Sequence, residues 1–229
     1  MEAIILAGGK GTRLRGVVPN LPKPMAPVAG RPFLEILIAS LAKKGITRAI
    51  ISLGYMADVI RSHFGDSFCG VDIAYAEEEV PLGTGGGVRL AMHQALTDHV
   101  FVFNGDTFLD INLTAVEETW QVHKRSIIVG REVANSSRYN CLQMEGGQVV
   151  GFLEKGGSGV GLINAGCYVF RSGELDRFPL GKHFSIEDDY LAQAAHCTPF
   201  ELYVSNDTFI DIGVPDDYKV AQAIMTKYL

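Results

Sequence analysis

The residues of this 229-residue chain best suited to chemistry lie near its N-terminus. Gly8, Gly9 and Gly11 are interleaved with Lys10, Thr12 and Arg13, and Lys23 follows between Pro22 and Pro24. Glycines lack Cβ, so backbone N–H groups can close on an anion, and they adopt the positive φ that such a loop needs. Arg13 can fork onto phosphate oxygens, while Lys10 and Lys23 can act as point charges. The loop follows the short apolar run Ala3–Ala7, so the stretch reads as a strand feeding a polyphosphate-binding loop. Two carboxylates stand out further along. Asp106 ends Asn104-Gly105-Asp106 after the apolar Val100–Phe103, and Asp211 sits in Phe209-Ile210-Asp211-Ile212-Gly213. Such hard oxygen ligands suit Mg²⁺. A lone Asp at a strand end also suits an Asx-turn or a helix cap, the reading that fits Asp110 better.

Two common phosphate loops do not match. The dinucleotide fingerprint requires a third glycine where Leu14 stands. The P-loop requires Lys followed by Ser or Thr, but Gly11 follows Lys10, and Ile4 occupies the place of its first glycine. What matches is Leu6-Ala7-Gly8-Gly9-Lys10-Gly11-Thr12-Arg13-Leu14 with the downstream Pro22-Lys23-Pro24. This signature resembles that of the nucleotide-sugar pyrophosphorylases, which transfer a nucleotidyl group to a sugar 1-phosphate.

The resemblance implies roles for particular residues. It sets the nucleotide against Leu6, Ala7, Gly8, Gly9, Gly11, Thr12, Arg13 and Lys23, with Asn104 and Gly105 beside them, and its base against Glu78, Pro81, Leu82, Gly83 and Thr84. It sets the sugar 1-phosphate against Tyr139, Asn140, Glu154, Lys155, Asn164 and Gly166. Asp106 and Asp211 match the family's Mg²⁺-binding aspartates, and with Arg13 and Lys23 they form the implied catalytic set. Taken without the resemblance, Lys155 after Glu154 is an ordinary surface ion pair and Asn164 a turn residue. Two positions depart from the pattern. Asn140 stands where many relatives have Gly, and Val214 where Thr commonly precedes the Pro.

Glu78 bears on the base. An ionised carboxylate only accepts hydrogen bonds, so it suits guanine N1–H and the N2 amino group and opposes uracil O4. Uridylyl and thymidylyl members resemble one another in having Gln at this position. A solvated acid within the run Glu77-Glu78-Glu79 remains the other reading, and a slip of one residue within that run stays open. By Leu82-Gly83-Thr84-Gly85-Gly86, Phe184-Ser185-Ile186-Glu187-Asp188 and Phe209-Ile210-Asp211-Ile212-Gly213, the chain is most similar within the family to short guanylyltransferases acting on a heptose 1-phosphate. The implied partners are therefore GTP and a sugar 1-phosphate, with Mg²⁺. The alternatives are guanylylation of mannose 1-phosphate, uridylylation of an amino-sugar phosphate, and a non-catalytic sugar-nucleotide-binding regulator.

Bulk properties set the bounds. Hydrophobic residues make up 47% and charged residues 20%, a globular composition. The net charge of −6 argues against nucleic acid as partner. Cations nonetheless concentrate early, with Lys10, Arg13, Arg15, Lys23 and Arg31 against Glu2 alone through residue 31. No apolar run is long enough to span a membrane, and Ala3–Ala7 is too short for a signal peptide. Cys69, Cys141, Cys167 and Cys197 form no Cys-x-x-Cys pair. They read as buried free thiols of a cytoplasmic protein, with a metal cluster not expected. A homo-oligomer is left open.

The elements that must position these residues read as a single domain spanning 1–229. Ala49–Leu53, Val71–Ala76 and Val100–Phe103 are short apolar strands, separated by helices over 32–45, Ala57–Phe64 and 84–96. The pattern predicts an α/β, Rossmann-like, doubly wound, mostly parallel (mixed) sheet, with ligands beyond the carboxyl ends of its strands. The second half reads as a helix Thr114–Lys124, strands Ser126–Val133, Leu162–Phe170 and Phe200–Val204, and a terminal helix from Pro215. Ser185-Ile186-Glu187-Asp188 has capping-box spacing. A hairpin, Asn140–Met144 with Gln148–Leu153, is expected as a small lobe over the active edge.

Overall fold

The first strand, Glu2–Leu6, is apolar on both faces and lies in the middle of the sheet, with Ala3, Ile4 and Ile5 fully buried. A continuous apolar run is what a strand covered on both sides requires. The computed structural model describes residues 1–137, 139, 141–153 and 159–229. Among these, the main sheet has ten strands. Glu2–Leu6 pairs in parallel with Arg48–Leu53 and His99–Asn104, and Arg48–Leu53 pairs in parallel with Val71–Glu77. Alternate residues feed opposite cores. Ala3 and Ile5 face the helices Phe33–Lys43, Ala57–Phe64 and Leu113–His123, whereas Ile4 faces Val88 and Ala91 of Gly83–Met92. The sheet is doubly wound, as expected.

The direction changes at Gly161–Arg171, which runs antiparallel to both His99–Asn104 and Ile127–Val133. Phe200–Val204 then pairs in parallel with Ile127–Val133. The sheet is thus mixed. The expected hairpin is present as Cys141–Glu145 and Gln148–Leu153, turning through Gly146 and Gly147. It hydrogen-bonds onto the sheet through Phe200–Val204 and through Cys141 opposite Ile163, so it extends the sheet's edge rather than standing apart. No helix among the described residues is long and apolar enough to cross a membrane.

Local differences from the sequence reading have physical causes. The helix expected over 84–96 is α-helical only over Gly83–Met92. It closes in i→i−3 bonds, from His93 N to Leu90 O and from Gln94 N to Ala91 O. Asn112, not Asp110, caps Leu113–His123, accepting from Ala115 N at 3.2 Å. Asp110 instead binds Lys44 Nζ at 2.6 Å and Tyr228 Oη at 2.8 Å. Ser185 caps Ile186–Leu191 by accepting from Asp188 N. Ser185 N in turn donates to Asp189 Oδ2 at 2.7 Å, one residue beyond the capping-box position, where the turn is wound as a π-helix. Of the cysteines expected to be buried, Cys167 is, whereas Cys141 is half-buried and Cys69 and Cys197 are exposed.

Gly85, in the first turn of its helix, tests this packing. A Cβ there would overlap the ring of Phe184, which is fully buried and stacked on Phe178 with centroids 3.9 Å apart. Gly→Ala in an ordinary helix gains about 1 kcal/mol. Gly85→Ala should instead lose about 1–3 kcal/mol through overpacking. In urea unfolding, Phe184→Leu should relieve part of that loss in the double mutant. Strictly additive losses would show that the ring is not the obstacle.

Candidate active site

The carboxyl ends of the parallel strands open into a cleft of about 840 Å³. The register Leu6 opposite both Ser52 and Asn104, with Leu53 opposite Glu77, brings four strand ends to one edge. Backbone bonds hold the glycine loop there. Ala7 N donates to Ser52 O at 2.9 Å, Tyr55 N to Gly8 O at 3.1 Å, and Gly105 N to Leu6 O at 2.9 Å. Buried Leu14 anchors the far side of the loop. Gly11 has φ +57°, and a Cβ on it would lie 2.7 Å from Lys23 Cβ, so only glycine lets the loop pass over Lys23.

Lys23 begins the short 3₁₀ turn Lys23–Met25 between two prolines. Its side chain is 9% exposed and its ammonium pairs with the Asp106 carboxylate. Asp211 arrives through an element the sequence did not reveal, the two-stranded ribbon of Thr107–Leu109 with Phe209–Asp211. Asp211 stands opposite Thr107, and Ile212 N donates to Asp106 O at 3.0 Å. Burial raises the Asp211 pKa, and the Asp106 charge raises it further. Opposing this are the Lys23 charge and a bond from Gly213 N, 2.6 Å from Oδ1. Among the described residues no third His, Cys, Asp or Glu joins this pair as a metal cluster. Two carboxylates whose repulsion a cation would relieve fit Mg²⁺, which usually keeps waters and takes its other ligands from phosphate. Asp106 and Asp211 are the residues that would hold it.

Glu78 is distinguished from its neighbours. Exposed Glu77 pairs with Arg61 at 2.8 Å, and Glu79 is exposed at the cleft rim. Glu78 is half-buried and lines the cleft. Its Oε2 accepts from Leu82 N at 2.8 Å and its Oε1 from Ser52 Oγ at 3.3 Å. Burial raises its pKa, partly offset by those two bonds and by the charge of His183.

The structure gathers most of the expected nucleotide residues around this cleft: Leu6, Ala7, Gly8, Gly9, Gly11, Thr12, Arg13, Lys23, Glu78, Pro81, Gly83, Thr84, Asn104 and Asp106. Leu82 is buried behind it, and Gly105 is tied to the strand end by its backbone. Asn164 and Gly166 lie at a bulge in Gly161–Arg171. Asn164 accepts from Gly166 N at 3.0 Å and donates to Tyr168 Oη at 2.8 Å, and Gly166 packs against Asn104. The Tyr139 ring sits edge-on to Phe209, centroids 6.4 Å apart. Asn140, Glu154 and Lys155 lie outside the described residues. Sequence reasoning missed Tyr55 and His183 in the cleft lining. Neither belongs to a motif with a chemical signature.

The sequence matches the nucleotidyl transferase family over residues 2–227. It is 37% identical over 230 residues, covering 100% of both chains, to a D-glycero-alpha-D-manno-heptose 1-phosphate guanylyltransferase of Aneurinibacillus thermoaerophilus. A Campylobacter jejuni protein of the same name is 36% identical over 219 residues, covering 95% of this chain and 97% of its own. The crystal structure of HddC from Yersinia pseudotuberculosis complexed with GMP-PN superposes with a TM-score of 0.86. It is 36% identical and covers 97% of this chain and 98% of that one.

The raised Asp211 pKa yields a prediction with a definite sign. A carboxyl that binds its proton more tightly when folded stabilises the protein at low pH. That contribution is lost as pH rises from the ordinary aspartate value of about 4 through the raised folded value. Ionised Asp211 therefore costs stability at neutral pH. Asp211→Asn, free of metal, should melt unchanged or up to about 4 °C higher, the shift of roughly 1 kcal/mol in a chain of this size. The same variant should lose the Mg²⁺-induced rise in melting temperature, and turnover should fall about a hundredfold or more. In the wild type that Mg²⁺-induced rise should shrink on acidification. A clear drop in the metal-free melting temperature would show that the carboxylate is stabilising instead.

Proposed function

This chain belongs to the nucleotidyl transferase family, and from that premise we propose that it joins GTP to D-glycero-α-D-manno-heptose 1-phosphate, giving GDP-heptose and pyrophosphate. The observation that carries the guanylyl reading is the inward turn of Glu78. Two fixed donors orient its carboxylate at the cleft wall, and its remaining lone pairs match guanine N1–H and N2. The heptose assignment is supported by the names of the two relatives aligned along the chain.

An oxygen of the sugar 1-phosphate attacks the α-phosphorus in line. The new P–O bond forms as the bond to the β-phosphate breaks, and pyrophosphate leaves with the electron pair. No enzyme nucleophile is needed, so the chain's contribution is positioning and charge. The backbone of Gly8–Gly11 cradles the triphosphate. Arg13 and Lys23 neutralise it, Lys23 exchanging the Asp106 carboxylate for phosphate oxygens. Asp106 and Asp211 would hold Mg²⁺, which would supply neutralisation of the phosphate charge. The family resemblance assigns Glu154 to the sugar hydroxyls and Lys155 to the sugar phosphate, with Tyr139, Asn140, Asn164 and Gly166 as further sugar contacts. Residues 1–229 act as one catalytic domain.

The test is a matrix of four nucleoside triphosphates against several sugar 1-phosphates, read by product mass, with GTP and the heptose phosphate expected to be the best pair. Glu78→Gln exchanges one acceptor oxygen for a donor amide, which suits uracil O4 and N3–H. The GTP-to-UTP ratio of kcat/KM should then move toward UTP by about ten- to a hundredfold, the worth of one or two mismatched buried groups. An unchanged ratio would remove Glu78 from base recognition. Wild-type preference for UTP would end the guanylyl assignment. No pyrophosphate release from any pair would leave a nucleotide-binding regulator.

A further inference from the structure

A second side chain reaches the base end of the cleft from the residues just before the capping-box segment Ser185–Asp188. His183 lies on the strap 182–184, which docks against the start of the helix Gly83–Met92. Phe184 N donates to Leu82 O at 3.0 Å, and Phe184 O accepts from Gly85 N at 3.0 Å and Gly86 N at 3.4 Å. Docking this close needs glycines. A Cβ on Gly83 would lie 2.6 Å from Phe184 O, and one on Gly86 would lie 2.7 Å from Lys182 O. The same Cβ on Gly83 would lie 3.3 Å from His183 Nε2, so the imidazole sits over the backbone of Gly83.

The Leu82 peptide groups hold both candidate readers of the base. Leu82 N–H orients the Glu78 carboxylate, and Leu82 C=O ties down the strap that bears His183. Both side chains line the same cleft, and His183 is exposed to it. A carboxylate beside an N–H donor is an acceptor next to a donor. That is the complement of guanine, which presents the N1–H and N2 donors next to the O6 acceptor. Adenine presents an unprotonated N1 and an amino group in those places. We infer that His183 is a base-specificity residue whose imidazole donates to guanine O6 while Glu78 accepts from N1–H and N2. This rests on the GTP reading above.

The experiment compares GTP, ITP and ATP with one sugar 1-phosphate, in wild type, His183→Ala and His183→Gln. ITP keeps O6 and N1–H but lacks the N2 amino group, and ATP lacks O6. His183→Ala should lower kcat/KM for GTP and ITP by the same factor, about three- to tenfold for one hydrogen bond, and leave ATP where it was. His183→Gln, which keeps an N–H donor, should recover part of the loss. Equal losses for all three nucleotides would make the strap a mere wall and overturn the inference. So would an unchanged GTP value, or a loss for GTP that ITP does not share. A wild type that does not prefer GTP to ATP would overturn the guanylyl reading and this inference with it. The first three results would leave that reading standing.

Discussion

Two carboxylates held close in a half-buried pocket repel each other unless a cation lies among them. Asp106 and Asp211 are in that position, and Lys23, its side chain only 9% exposed, is the cation. The surrounding architecture is arranged to maintain this cluster. The ribbon sets Asp211 opposite Thr107, the bond from Gly105 to Leu6 fixes where the chain bearing Asp106 leaves the sheet, and Gly11 lets the glycine loop cross Lys23. The ion pair leaves a net negative charge at the mouth of a basic loop. A net negative site of this kind suits a divalent cation, whose charge would relieve the repulsion between the carboxylates.

The first half of the fold was legible because its strands are apolar on both faces and its helices are bounded by Gly and Pro. Ala57–Phe64 begins and ends where its pattern does. A mixed sheet was expected, but that Gly161–Arg171 is the strand that reverses was not legible, since side-chain alternation is the same in parallel and antiparallel strands. The ribbon that joins the two aspartates has three-residue strands, too short for any periodicity. Two carboxylates more than a hundred positions apart could be nominated singly, but their meeting depends on that ribbon. Glu78 could not be separated from Glu77 and Glu79 by residue type. Burial and the bond from Leu82 separate them.

The glycines divide into two groups with different physical purposes. Gly8, Gly9 and Gly11 line the cleft, where a backbone free of side chains can approach an anion. At Gly83, Gly85 and Gly86 the strap 182–184 occupies the space their side chains would take, although Gly83 also borders the cleft. A glycine-rich segment near a phosphate loop invites one explanation for all its glycines. Here the second run is better understood as a docking surface for a distant part of the chain.

That docking also links the two ends of the cleft. Thr84 Oγ1 donates to Glu187 at 2.9 Å and accepts from Ile186 N at 2.9 Å. Tyr168 Oη donates to the other oxygen of Glu187 at 3.3 Å and accepts from Asn164, which in turn holds Gly166 N. Tyr168 is fully buried, and burial raises the pKa of its hydroxyl, so it stays protonated and its single donor is committed to Glu187. One carboxylate therefore sets the spacing between the segment beside Glu78 and the bulge beside Asn104. A reaction that depends on aligning two bound phosphates needs those segments in fixed register, and a chain of oriented hydrogen bonds supplies it more narrowly than apolar packing could.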